Sequence, residues 1–144
     1  MTDRRLIEAE ARLGIRLPED YLDVVRTYQG CAPDRWVVTL PDGTRTALSM
    51  LLHFEDQPEQ FNLVRIVQDS AARYGKLIPF AVDPDCNYFC FDYRGESDHS
   101  WSRTRWNRPV VFVPTADPNA EPQFLAAGFT ELIDSLQDEF VTSR

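Results

Sequence analysis

Apolar positions recur along this chain with two different periods, and the changes of period divide it into elements. Leu6, Ala9, Glu10 and Leu13 fall on one face at helical spacing, with Thr2 or Asp3 able to cap the start and Gly14 able to end it. Ile15-Arg16-Leu17 then leads into Pro18, suited to a first helical turn, where Glu19 and Asp20 complement the positive end of a second helix. Its stripe is Tyr21, Leu22, Val25 and Tyr28, ended at Gly30. The spacing predicts an N-terminal helical hairpin whose two stripes need a larger apolar surface to cover.

Beyond it the period shortens to two. Residues 36–40 and 46–54 are β-like and flank Pro41-Asp42-Gly43-Thr44, whose Asp-Gly pair predicts a hairpin turn. Phe61, Leu63, Val64 and Val67 return to helical spacing until Tyr74-Gly75. Residues 77–82 and 88–93 predict a central hairpin turning on Asp83-Pro84-Asp85-Cys86-Asn87. In its second strand Phe89, Phe91 and Tyr93 share the face expected to meet helices, and Tyr88, Cys90 and Asp92 share the other. Residues 110–113 form a further strand closed by Pro114, after which a Pro-containing loop leads to an amphipathic helix from about Gly128. Its inward positions are Phe129, Leu132, Ile133, Leu136 and Phe140. Helices first, then strands, one inserted helix and a C-terminal helix is the order of an α+β fold with a mainly antiparallel sheet, expected as a single domain over residues 1–144.

Composition agrees with a folded domain: 43% of the 144 residues are hydrophobic and 26% charged. Charge changes the picture more. With 23 acidic against 15 basic residues the net charge is −8, a field that repels nucleic acid and anionic membrane, attracts cationic partners, and also serves solubility alone. Three cysteines, Cys31, Cys86 and Cys90, are an odd number without secreted-scaffold character and point to a reducing compartment. Three residues separate Cys86 from Cys90, and no second pair or suitable histidine completes a zinc site. No stretch has signal-peptide or bilayer-crossing length, so the expected location is cytoplasmic, with no membrane partner.

Candidate chemistry is sparse. Asp83, Asp85 and Asp92 cluster around the central hairpin, but their spacing lacks the glycine and the distal glutamate of a calcium loop, and Asp and Asn are ordinary turn residues. Glu10 interrupts the apolar face of the first helix and is read as bonding the backbone or a nearby basic group. Ser97, Asp98, His99 and Ser100 are adjacent, which is not how a hydrolase triad is assembled, and no nucleophile elbow exists; His53 sits in a predicted strand. The segment 95–108 interleaves Trp101 and Trp106 with Arg103, Arg105 and Arg108. A structural loop, a protein contact and a single-stranded nucleic-acid contact all fit it. Its own acids and the acidic chain argue against nucleic acid, and Trp and Arg are the usual interface anchors. No catalytic, metal or cofactor residues are therefore expected. The candidate partner contacts are Asp42, Asp83, Asp85, Asp92, Trp101, Arg103 and Trp106.

The order of motifs resembles the SUKH superfamily, in particular its SMI/KNR-type branch. The resemblance rests first on Ile7-Glu8, Glu10, Leu13-Gly14-Ile15, Leu17-Pro18-Glu19-Asp20-Tyr21 and Gln29-Gly30. It continues through Leu77-Ile78-Pro79-Phe80-Ala81 with Asp83-Pro84, the run from Asn87 to Arg94, Arg108-Pro109-Val110-Val111-Phe112, and residues 124–136. Two features depart from the pattern: Asp85-Cys86 stands where relatives commonly carry Gly-Gly, and the 95–108 segment looks like an insertion. The resemblance implies a non-enzymatic immunity protein that neutralises a cognate bacterial toxin, or else a regulatory interaction module of the same fold. A basic toxin such as a nuclease would suit the acidic charge. Oligomeric state is left open.

Overall fold

The computed structural model describes residues 3–28, 36–52, 62–94, 108–116, 119–135 and 137–138. Cys31, His53, Phe61, residues 95–107 of the 95–108 segment with Trp101, Arg103 and Trp106, and Leu136 and Phe140 lie outside the described residues. The elements, in order, are α1 (Asp3–Leu13), α2 (Glu19–Tyr28), β1 (Trp36–Thr39), β2 (Arg45–Leu48), β3 (Met50–Leu51), α3 (Leu63–Tyr74), β4 (Leu77–Val82), β5 (Tyr88–Asp92), β6 (Val110–Val113), β7 (Gln123–Ala126), α4 (Phe129–Ser135) and β8 (Gln137–Asp138). The fold is α+β, with an antiparallel five-stranded sheet in the order β3-β4-β5-β6-β7 and a smaller antiparallel sheet in the order β2-β1-β8.

Local chemistry fixes the helical hairpin. Gly14, at φ 72°, ends α1 by donating its N–H to the Glu10 carbonyl at 2.8 Å. The Glu10 side chain, 5% exposed, accepts the Leu17 N–H at 2.7 Å and lies 3.9 Å from the Arg16 guanidinium, so it pins the connection into α2 as the sequence suggested. Asp20 accepts the N–H and the hydroxyl of Thr130, at 3.0 and 2.6 Å, tying α2 to the first turn of α4. Asn62 caps α3 by accepting the Arg65 N–H.

All four described helices contribute to one core on one face of the larger sheet. At its centre Tyr21 meets Phe80, Phe91 and Phe129 edge-on at 5.7, 5.1 and 5.5 Å, and Phe80 stacks on Phe91 at 4.3 Å. The face predicted for Phe89, Phe91 and Tyr93 is the one that meets the helices, and all three are fully buried. Pro79 is tolerated in an interior strand because a bulge follows it: the register jumps from Pro79↔Cys90 to Ala81↔Phe89. The opposite face carries a second buried cluster of Leu77, Cys90, Val111 and Val113, where burial first and Asp92 second push the Cys90 thiol well up.

Three expectations need correction. The run 46–54 is not one strand: it breaks at Ser49, so β2 pairs with β1 while β3 joins β4 in the other sheet, and one apolar run serves two sheets. Residues 123–126, expected as loop, form β7, because the open edge of β6 takes up a stretch with little β pattern of its own. The last helix stops at Ser135. Gln137 and Asp138 instead pair with Val37 and Trp36, tertiary pairing overriding the helical spacing.

Candidate functional site

Two hairpin tips meet at one end of the larger sheet, and the tip between β4 and β5 is organised by Asp83. This aspartate is 3% exposed. Its Oδ1 accepts the N–H groups of Asp85 and Asn87 at 2.9 and 2.8 Å, and its Oδ2 accepts the Thr46 hydroxyl at 2.9 Å and the Asn87 side-chain amide at 3.1 Å. Four donors on one buried carboxylate lock the turn. Asn87 passes the tie on, since its Oδ1 accepts the Thr115 N–H at 2.8 Å from just beyond β6. Cys86 adopts φ 64°, the left-handed conformation that glycine would take without strain.

The Thr46 contact brings the β1–β2 tip alongside. There Asp42 is exposed and accepts the N–H and hydroxyl of Thr44 at 3.0 and 2.6 Å; the hydroxyl bond first, and the backbone bond second, hold its carboxyl below the usual range. Asp85 is exposed on the neighbouring tip. Residues 41–46, 83–87 and 114–116 carry three carboxylates, from Asp42, Asp83 and Asp85, against the single guanidinium of Arg45.

Asp92 belongs elsewhere, at the far end of β5, roughly 14 Å from the tip by strand rise. Burial pushes its carboxyl up, but hydrogen bonds from the side chain and backbone of Arg94 outweigh this and leave it lowered. Arg94 holds it with Nε at 3.0 Å and Nη2 at 2.9 Å. At the same end Tyr93 donates its hydroxyl to the Arg16 carbonyl at 2.7 Å, and the buried Arg108 guanidinium lies 4.9 Å from the Tyr93 ring centre. These residues flank positions 95–107 in the sequence on both sides, with the Asp92 N–H donating to the Pro109 carbonyl at 2.8 Å. The candidate acids thus divide into a tip group, Asp42, Asp83 and Asp85, and a distal one, Asp92.

Sequence reading missed Thr46 and Thr115, which complete the tip. Thr46 is 37 residues from Asp83, so no local signal could have found it. Elsewhere an open cavity of ≈ 280 Å³ is lined, among the described residues, by Ile7, Glu10, Ala11, Gly14, Ile15 and Arg16. Among the described residues no group of three His, Cys, Asp or Glu side chains could hold a metal ion, and no helix is long and apolar enough to cross a membrane.

The described residues form an α+β scaffold with two hydrogen-bonded, acid-bearing turns tied together by the Thr46–Asp83 contact. The sequence profile of the SMI1 / KNR4 family (SUKH-1) matches residues 1–135, and the chain belongs to that family. No curated protein and no solved structure matches it.

Proposed function

We propose that this chain is a cytoplasmic, non-enzymatic immunity protein that binds a cognate basic toxin and occludes its active surface. Family membership over residues 1–135 carries this reading. The net charge of −8 supports it, because a nuclease-like toxin must present a positive surface to phosphate. Asp42 and Asp85 are the proposed primary contacts, on tips that the buried Asp83 holds rigid; rigidity lowers the ordering entropy that binding must overcome. Asp92, at the far end of β5, is proposed as a further contact, together with Trp101, Arg103 and Trp106 of the 95–108 segment.

The family also covers other roles, so a regulatory module acting on an endogenous partner is the competing reading. A pull-down of the tagged protein from native extract at low and moderate salt, followed by co-expression of each captured protein, separates the two. Capture of a basic protein whose toxicity this chain relieves supports immunity. Capture of a housekeeping complex, or of nothing, overturns it.

A further inference from the structure

The outer side of α1 combines an exposed apolar side chain with a hollow. Ile7 is 63% exposed, one of two large apolar side chains so open among the described residues. It borders the open cavity of ≈ 280 Å³, which is also lined, among the described residues, by Glu10, Ala11, Gly14, Ile15 and Arg16. Ile7, Ala11 and Gly14 recur at i, i+4 and i+7 and so form one strip along the helix and its cap. Past the adjoining residues, a Cβ added at Gly14 would meet nothing within 4 Å, so this end of the strip is open. The volume falls just below the roughly 300 Å³ at which pockets for whole small molecules begin, a size suited to one inserted side chain.

Charge here reverses the sign of the whole chain. Residues 4–16 carry Arg4, Arg5, Arg12 and Arg16 against Glu8 and Glu10, in a protein of net charge −8. Both carboxylates are engaged: Glu8 accepts from Arg4 Nε at 3.1 Å, and the buried Glu10 accepts the Leu17 N–H at 2.7 Å. Arg12 is exposed in the last turn of α1. Arg16 lines the hollow with its side chain 49% exposed, and its guanidinium lies 3.9 Å from Glu10. That separation is longer than a hydrogen bond, so the fork of donors is open to a second carboxylate. The Tyr93 hydroxyl on the Arg16 carbonyl places the hollow toward the far end of β5, away from Asp42 and Asp85, and Asp92 at that end is already held by Arg94.

We infer that the hollow beside α1 receives one apolar side chain from an acidic segment of a protein partner, with a carboxylate of that segment on Arg16. Ile7 and Ile15 supply the apolar walls, and the local excess of guanidinium groups selects the sign of the partner's charge. The acidic tips of a second copy, residues 41–46 and 83–87, carry no large apolar side chain to fill the hollow. An anionic bilayer shares the required charge, but it is repelled by the chain as a whole and offers no single side chain to a concave site. The inference goes beyond the immunity proposal: it concerns a partner of opposite charge on a different surface, and either can fail alone.

The probe is a capped pentapeptide with leucine between two pairs of glutamates, titrated into the full-length ¹⁵N-labelled protein. Controls replace the glutamates by lysines, or the leucine by glycine. The glutamate–leucine peptide is expected to shift the amides of Ile7, Ala11, Gly14, Ile15 and Arg16. Arg16→Gln should weaken binding about tenfold and flatten its dependence on salt, and Ile7→Glu should abolish it. Ile7 is exposed, so an unchanged thermal midpoint confirms that this variant is folded. Asp42→Lys/Asp85→Lys should bind the peptide as the parent does. No perturbation, perturbations that map elsewhere, or equal binding of either control peptide overturns the inference. So does sedimentation with phosphatidylglycerol vesicles, or a dimer at high protein concentration, that Ile7→Glu removes, since the occupant would then be a bilayer or a second copy. Absence of any toxin that the parent neutralises refutes immunity and leaves this inference standing; failure of the peptide to bind does the reverse.

Discussion

Asp42 and Asp83 each open a turn between two antiparallel strands, yet one turn is held from within and the other from across the molecule. Asp42 is exposed and, among the described residues, its side chain accepts from Thr44, two residues on. Asp83 is buried, holds both sides of its own turn, and reaches Thr46 and, through Asn87, Thr115. Their left-handed residues differ too: Gly43 adopts φ 90° in the first turn and Cys86 adopts φ 64° in the second. A turn that carries its own glycine can stay local. One that forces cysteine into the same region of backbone space needs surrounding structure to hold it.

The largest effect should come from Asp83→Ala, which strips a buried carboxylate from four donors and leaves them unsatisfied. A loss of about 3 kcal/mol is expected in urea unfolding. A loss below about 1 kcal/mol would mean that Asp83 does not organise the tip. Gly43→Ala follows, at about 1 kcal/mol: outside the two adjoining residues nothing lies within 4 Å of the added methyl, so the backbone conformation is what resists it. Cys86→Gly should have the opposite sign and raise stability by roughly 0.5 kcal/mol, relief of left-handed strain outweighing the entropy of glycine. If both glycine exchanges proved destabilising, the difference drawn between the two turns would collapse.

Asp42→Asn should be the mildest. Its carboxyl is lowered in the folded chain, so its contribution is present above the ordinary carboxylate range and fades as pH falls through the folded value. Full exposure keeps that contribution small. Thermal midpoints from neutral to acid pH should therefore nearly superimpose for Asp42→Asn and the parent, with the only divergence on the neutral side. A large gap would place Asp42 in a tighter environment than the structure gives it.

Local pattern carried much of this fold. The helical hairpin, β4, β5 and β6 follow from side-chain periods and punctuation within a few residues, and even the buried acid Glu10 was legible because it broke an apolar face next to a chain reversal. What stayed hidden is set by partners distant in the chain. Gln123–Ala126 is a strand because β6 lies beside it, and Gln137–Asp138 leaves the helical pattern because β1 offers an edge. The tip acids were visible as turn residues, but whether each points in or out was not. Asp83 turns inward because Thr46 and the Asp85 and Asn87 amides converge on it, while the exposed Asp42 accepts from its near neighbour Thr44.

The claim that the exposed tip acids meet a basic toxin is tested most directly by a growth assay. The basic protein captured in the pull-down is co-expressed with the parent chain, with Asp42→Lys/Asp85→Lys, or with empty vector. Both sites are exposed, and Asp42→Lys gives up only the two local bonds to Thr44, so the variant should stay folded with a small fall in thermal midpoint. Restored growth with the parent and failed rescue by the variant is the predicted result; equal rescue by both, or no rescue by the parent, would contradict it.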